Sequence, residues 1–165
     1  MDRKASFPPV VDRHTRLLLL GSLPGEASLR AVRYYAHPQN QFWRLVGAVI
    51  DRDLVSLPYE DRLTALRAAH VGLWDVIADA VRPGSLDTAI RDHRPNDLTA
   101  LIATLPALRA IGFNGKTAAR IGRKALPPGD GPVPIDLPSS SPAYTIGFDG
   151  KMTAWLTLKK WLTAT

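Results

Sequence analysis

The 165-residue chain contains no cysteine. That removes disulfides, thiolate metal sites, iron–sulfur clusters and a cysteine nucleophile together, and it fits a cytoplasmic setting. No apolar run approaches the roughly 20 residues that a membrane helix needs. The longest, Leu17 to Leu20, has the length of a buried strand. The opening MDRKASFPPVVDRHTR has no continuous apolar stretch and does not read as a secretory signal. His14, His37, His70 and His93 lack metal-ligand spacing, so neither metal nor cofactor is expected. Internal repeats and low-complexity tracts are also missing.

What is present supports a folded domain. Hydrophobic residues make up 45%, enough for a core. The length favours one domain over 1–165, with 1–15 as an irregular lead-in. Lysine and arginine total 21 against 15 acidic residues, a net charge of +6. That balance suits a polyanionic partner.

Periodicity yields a strand–helix alternation. Strands are expected at Arg16–Ser22, Val71–Ile77, Leu108–Phe113 and Val133–Leu137. A helix is expected from Pro38, a good first-turn residue, through Ile50, with Phe42, Val46, Val49 and Ile50 on one face. Further helices are expected at 59–69, Asp97–Thr104, Lys116–Leu126 and Met152–Ala164. This order argues for an α/β fold, a three-layer α/β/α sandwich with a central, mainly parallel four-stranded sheet. Ligands of such sheets sit beyond the carboxyl ends of the strands. The four segments there, GSLPGEAS, WDVIAD, FNGK and LPSSSPA, would converge on one rim.

Two segments are the richest in chemistry: Gly21-Ser22-Leu23-Pro24-Gly25 and Tyr34-Tyr35-Ala36-His37-Pro38-Gln39-Asn40-Gln41-Phe42-Trp43. Glycines let a backbone approach a ligand closely, and free amides there bind a carbonyl or oxyanion. An aromatic ahead of a helix offers a flat face for stacking a base. One of Tyr34 and Tyr35 is expected in the core. Asn40, in the first turn after Pro38, can both donate and accept. His37 either caps that helix or takes part in chemistry. Phe42 and Trp43 read as packing. Trp74 and Asp75, at a strand end, can touch a base, though Trp74 also suits the core. Gly84-Ser85-Leu86-Asp87 reads as a local cap with Asp87 solvated. Lys116, Arg120, Arg123 and Lys124 share one helix face, which grips a phosphate backbone or is simply solvated.

GSLPG followed by YYAHPQNQFW resembles the first motif region of mismatch-specific enzymes of the uracil-DNA glycosylase superfamily, and LPSSSPA resembles their DNA-clamping motif. Together with LWDVI, GSLD and FNGK, the set is most similar to the hypoxanthine-DNA glycosylase (DNA-deoxyinosine glycosylase) branch. The motifs run from residue 21 to 142. The resemblance implies a monofunctional glycosylase acting on a deaminated base in double-stranded DNA, with Asn40 as the main catalytic residue and His37 near it. It implies a base site built from Ser22, Leu23, Gly25, Tyr35, Trp74 and Asp75. It implies DNA contacts from Asn114, Gly115, Lys116, Ser139, Ser140 and Ser141, with Tyr144 as a wedge. Mismatch-specific enzymes carry their catalytic Asn where this chain has Leu23, and conventional uracil enzymes a loop Asp that it lacks. Leu23 therefore argues against uracil as the main substrate. The alternatives are a uracil or mismatch glycosylase of the same superfamily, or a non-catalytic damage-recognition module. A nucleotide-binding domain ranks last, because the first loop lacks full GxGxxG spacing and a P-loop lysine. A monomer is expected.

Overall fold

A computed structural model describes residues 3–163. In chain order the elements are β1 (Arg3–Ala5), β2 (Leu17–Gly21), α1 (Glu26–Ala31), α2 (Phe42–Val49), α3 (Tyr59–Ala68), β3 (Val71–Asp75), β4 (Ile77–Val81), β5 (Arg91–Pro95), α4 (Leu98–Ala103), β6 (Ala110–Asn114), α5 (Lys116–Ala125), β7 (Val133–Leu137) and α6 (Phe148–Leu156).

The central sheet has four strands in the order β3-β2-β6-β7, all parallel. Strand β2 is buried along its whole length, which is why it reads as an unbroken leucine run rather than an alternation. Its leucines serve two cores in turn. Leu17 and Leu19 pack with Phe42, Val46, Leu66 and Trp155 of α2, α3 and α6. Leu18 and Leu20 pack with Leu98, Ala118 and Ile121 of α4 and α5. The result is the three-layer sandwich, with α2, α3 and α6 on one face and α4 and α5 on the other. No helix among the described residues is long and apolar enough to cross a membrane.

Several expectations need correction. The stretch expected as one strand over Val71–Ile77 divides in two. After Asp75 the Val76 amide donates to the Gly21 carbonyl and the Ile77 amide to the Ser22 carbonyl, and the chain leaves the parallel sheet. It continues as β4 at the centre of a three-stranded antiparallel sheet, order β1-β4-β5. The lead-in is therefore not wholly irregular, because Arg3–Ala5 supplies an edge strand and Val10 bridges to Leu73. The α2 helix begins at Phe42, not Pro38, because the Asn40 side chain accepts the Phe42 amide at 3.0 Å and starts the turn there. A short helix, α1, occupies a stretch read as loop. The last helix starts earlier, at Phe148, and tightens into a 3₁₀ turn over Thr157–Trp161. Its expected end at Ala164 lies outside the described residues.

Helix α5 lies close on β6 because Gly122 faces Phe113. A Cβ there would stand 2.3 Å from Phe113 Cε1 and 3.0 Å from Val76 Cγ1. Alanine raises helix propensity by up to ~1 kcal/mol, but overpacking typically costs about 1–3 kcal/mol. Gly122→Ala should therefore lower the thermal midpoint by about 2–6 °C, read by calorimetry. An unchanged or higher midpoint would show that α5 can shift freely from the sheet.

Candidate active site

Strands β2, β3 and β6 end at Gly21, Asp75 and Asn114, and the loop after β7 begins at Pro138. All four ends meet at one rim, which carries a cavity of about 540 Å³. That lies within the range of roughly 300–1,000 Å³ usual for small-molecule sites. Ser22, Leu23, Gly25, Tyr35, His37, Asn40, Asp75, Asn114, Ser139, Ser140, Ser141 and Tyr144 all line it.

One wall is a chain of hydrogen bonds through three loops. Asn114, 7% exposed, donates from Nδ2 to Ser140 Oγ (2.9 Å) and to Tyr35 Oη (3.3 Å), while its Oδ1 accepts the Ser140 amide at 2.8 Å. The Ser140 hydroxyl donates to Asn40 Oδ1 at 2.8 Å. Asn40 Oδ1 also takes the Phe42 amide. Its carbonyl oxygen is thus fully engaged, whereas Nδ2 has no partner among the described residues and remains available to the cavity.

Tyr35 stands in the left-handed region at φ 53°, a strained conformation for a bulky residue. Its surroundings enforce it. Trp43 Nε1 donates to the Tyr35 carbonyl at 3.1 Å, and the Ser28 hydroxyl accepts the Ala36 amide at 3.0 Å. The ring stacks on Phe42 at 3.8 Å and 8°. One ring face is therefore spent on packing, and the other is what a ligand can meet. Burial raises the phenol's pKa, with Asp75 adding to it, so Tyr35 stays neutral. Tyr34 is the core member of the pair, 4% exposed.

The first loop forms the opposite wall. A Cβ at Gly21 would stand 2.7 Å from Asp75 Oδ1 and 2.9 Å from Tyr35 Oη, so only glycine fits there. The amides of Ser22, Leu23 and Gly25 find no acceptor among the described residues. Arg82, 1% exposed, donates to the carbonyls of Leu23, Pro24 and Gly84. By taking the Pro24 carbonyl it turns the Gly25 amide the other way, while the Val76 and Ile77 amides take the Gly21 and Ser22 carbonyls and so turn the Ser22 and Leu23 amides away from the sheet. The Ser22 hydroxyl donates to Asp87 Oδ1 at 2.6 Å.

Asp75 is 4% exposed and its Oδ2 has no hydrogen-bond partner among the described residues. Burial pushes its carboxyl up to about 7, nearby Asp87 raises it further and Arg82 opposes both. Burial likewise raises Asp87, against the Ser22 hydrogen bond and Arg82.

Other residues depart from the sequence expectations. Trp74 does not line the cavity: strand alternation turns it away from Asp75, and its Nε1 donates to the Phe7 carbonyl at 3.0 Å. Ser140 is 1% exposed and Asn114 is buried with it, so both hold loops together instead of meeting phosphates. The Gly115 amide donates to the Leu137 carbonyl at 3.1 Å and is likewise spent. Lys116 is exposed but off the cavity. Asp87, expected in solvent, lines the cavity. His37 does not cap a helix; its Nδ1 accepts the Gln39 amide at 3.1 Å. On α5, Arg123 is tied to Asp136 at 2.9 Å, leaving Lys116, Arg120 and Lys124 exposed. Sequence reasoning missed Arg82, Ser28 and Lys151. Lys151, 1% exposed, donates to the Ser141 carbonyl at 3.1 Å, with its ammonium 5.5 Å from the Tyr144 ring.

Asp75 makes stability depend on pH. Below about pH 4 both folded and unfolded chains hold its proton. As pH rises towards 7 the unfolded chain releases that proton and the folded one keeps it, so stability falls and stays lower above 7. Asp75→Asn should therefore raise the thermal midpoint at pH 8 and change it little at pH 4. Parallel midpoint curves for the two proteins would contradict a buried, protonated Asp75.

Comparison with known proteins agrees with this architecture. A family model described as the uracil DNA glycosylase superfamily matches residues 8–163. A protein named hypoxanthine DNA glycosylase from Methanosarcina acetivorans is 44% identical over 140 residues, 85% of this chain and 87% of the relative. One of the same name from Methanosarcina barkeri is 47% identical over 114 residues, 69% and 72% of the two chains. A Methanosarcina acetivorans protein proposed to be a uracil DNA glycosylase, solved by solution NMR, superposes with a TM-score of 0.86 at 38% identity, covering 97% of this chain and 99% of that one. The chain belongs to the uracil DNA glycosylase superfamily.

Proposed function

We propose that this protein is a monofunctional DNA glycosylase that hydrolyses the N-glycosidic bond of a flipped deaminated base, hypoxanthine above all, in double-stranded DNA during base excision repair. The observation that carries the reading is the cavity itself. A tyrosine face, a row of free amides and an Asn40 donor converge at the rim of the parallel sheet, and the two hypoxanthine DNA glycosylases cited above are related over most of their length.

The target nucleotide has to leave the duplex, since its glycosidic bond is inaccessible in the stack. Tyr35 stacks on the extruded base, and the Ser22, Leu23 and Gly25 amides hold its edge beside Asp75. The C1′–N bond breaks with its electron pair passing to the base. Water adds to C1′ and the proton it loses ends on the departed base, leaving a neutral free base and an abasic sugar. Asn40 has no useful pKa, so it works by position: Nδ2 orients the water or the sugar, its carbonyl being locked by Ser140. His37 lies at the mouth, beside the sugar. Among the described residues no lysine lines the cavity, so a Schiff base has no donor there and the strand stays intact. Ser139 and Ser141 contact the flanking phosphates, Lys116, Arg120 and Lys124 add charge, and Tyr144 enters the vacated stack. Asn114, Gly115 and Ser140 act by holding the loops. Leu23 is 7% exposed in the first loop and cannot position a water, which favours hypoxanthine over uracil. The protein works as a single-domain monomer in the cytoplasm, on the nucleoid.

Labelled duplexes carrying hypoxanthine, uracil, xanthine or thymine test this. The hypoxanthine strand should break only after hot alkali, and Asn40→Ala should slow single-turnover release by about 100-fold or more while duplex affinity is retained. Preferred breakage at uracil would overturn the choice of base, and no breakage at any lesion would overturn the enzyme. Lys116→Ala should weaken binding to all duplexes alike and reduce the salt slope of affinity by about 1; an unchanged slope would remove it from the interface.

A further inference from the structure

Asp87 brings an open carboxyl oxygen to the wall of a cavity whose first loop presents backbone donors. One carboxylate oxygen takes the Ser22 hydroxyl at 2.6 Å. The other has no hydrogen-bond or ion-pair partner among the described residues, because the nearby Arg82 guanidinium is spent on three carbonyls. Its loop is anchored on both sides: Lys4 and Arg82 donate to the Gly84 carbonyl, at 2.9 Å each, and the Ser85 hydroxyl accepts the Glu26 amide at 2.8 Å. A preorganised acceptor left open in a partly buried wall selects a ligand that brings a donor.

Resting on the glycosylase reading, we propose that Asp87 is the specificity-determining residue that reads the edge created by deamination, accepting the N1–H of a lactam base while the first-loop amides donate to its C6 carbonyl. Ser22 couples the two halves of that reader: its amide is free for the carbonyl, and its hydroxyl aims Asp87. Deamination turns adenine's amino group and N1 lone pair into a carbonyl and an N1–H. Every hydrogen bond that suits hypoxanthine is therefore inverted for adenine, whose N1 lone pair would face a carboxylate and whose amino group would face backbone N–H groups. A site that leaves its own polar groups unpaired against the wrong ligand discriminates far more strongly than one that merely fits shape. Guanine presents the same lactam pair, so its exclusion falls to the contacts at C2 rather than to Asp87.

The test compares single-turnover release of hypoxanthine with release of purine, the analogue lacking the C6 oxygen and carrying an N1 lone pair, from otherwise identical duplexes. Asp87→Asn keeps the shape but offers a donor towards N1. Hypoxanthine release should fall about 10- to 100-fold, while purine release holds or rises, so the ratio between them collapses. Ser22→Ala, which frees Asp87 without removing it, should shift the ratio in the same direction by a smaller factor, and it stands in if Asp87→Asn does not fold. An equal fall on both bases in either variant would make Asp87 a structural residue and overturn the proposal, as would an unchanged ratio. No release of hypoxanthine by the unsubstituted chain would be a different failure, removing the glycosylase reading and this proposal with it.

Discussion

The site depends on one buried serine. Ser140 Oγ takes a hydrogen from Asn114 and gives one to Asn40, while its amide is taken by Asn114 Oδ1 and its carbonyl accepts the Gln41 amide at 3.0 Å. Through these bonds the loop after β7, the end of β6 and the entry to α2 become one rigid unit. A buried polar network is worth having only when its members are satisfied, and here the side-chain groups of Asn114 and Ser140 and the Asn40 carbonyl oxygen all are. Asn40 Nδ2, on the same side chain, is left for the cavity. Fixing its partner oxygen twice is what gives an uncharged carboxamide a defined direction.

The second wall solves a different problem. A first loop whose amides face a ligand must send its carbonyls elsewhere, and buried carbonyls without donors are costly. Arg82 supplies the donors from β4's end, and the three-stranded sheet exists in part to deliver it. Arg3 pairs with Asp79 and Lys4 with Glu26, fixing the chain's first strand to the same platform. Two carboxyls gather there, Asp75 and Asp87, both raised by burial, with Asp87 adding to the rise at Asp75 and Arg82 opposing it at each.

Much of this was legible in the sequence. The leucine run of β2, the bounds of β7 and the convergence of four loops all follow from periodicity and from the rule for parallel sheets. The motif residues from Ser22 to Asn40 are in the cavity because they share one loop system. What was not legible has a common cause. Strand β5, RDHRP, is exposed throughout and carries no period-two pattern, so nothing announced the second sheet. Without that sheet nothing marks Arg82, and Asp87 reads as a solvated cap. Ser140 and Asn114 were seen as polar residues of the right loops, but polarity alone does not say whether a side chain meets a phosphate or another loop. Trp74, which by sequence suits the core as well as the base, packs against the core because side chains alternate along a strand.

The account's central claim is that this cavity releases a base from intact DNA. The most direct measurement is mass spectrometry of the small molecules freed when the protein is incubated with duplex containing one deoxyinosine. Free hypoxanthine, appearing in step with abasic sites and with the strand uncut, is the predicted result. Free nucleoside or nucleotide, or no small molecule at all from a duplex that is bound, would contradict the claim.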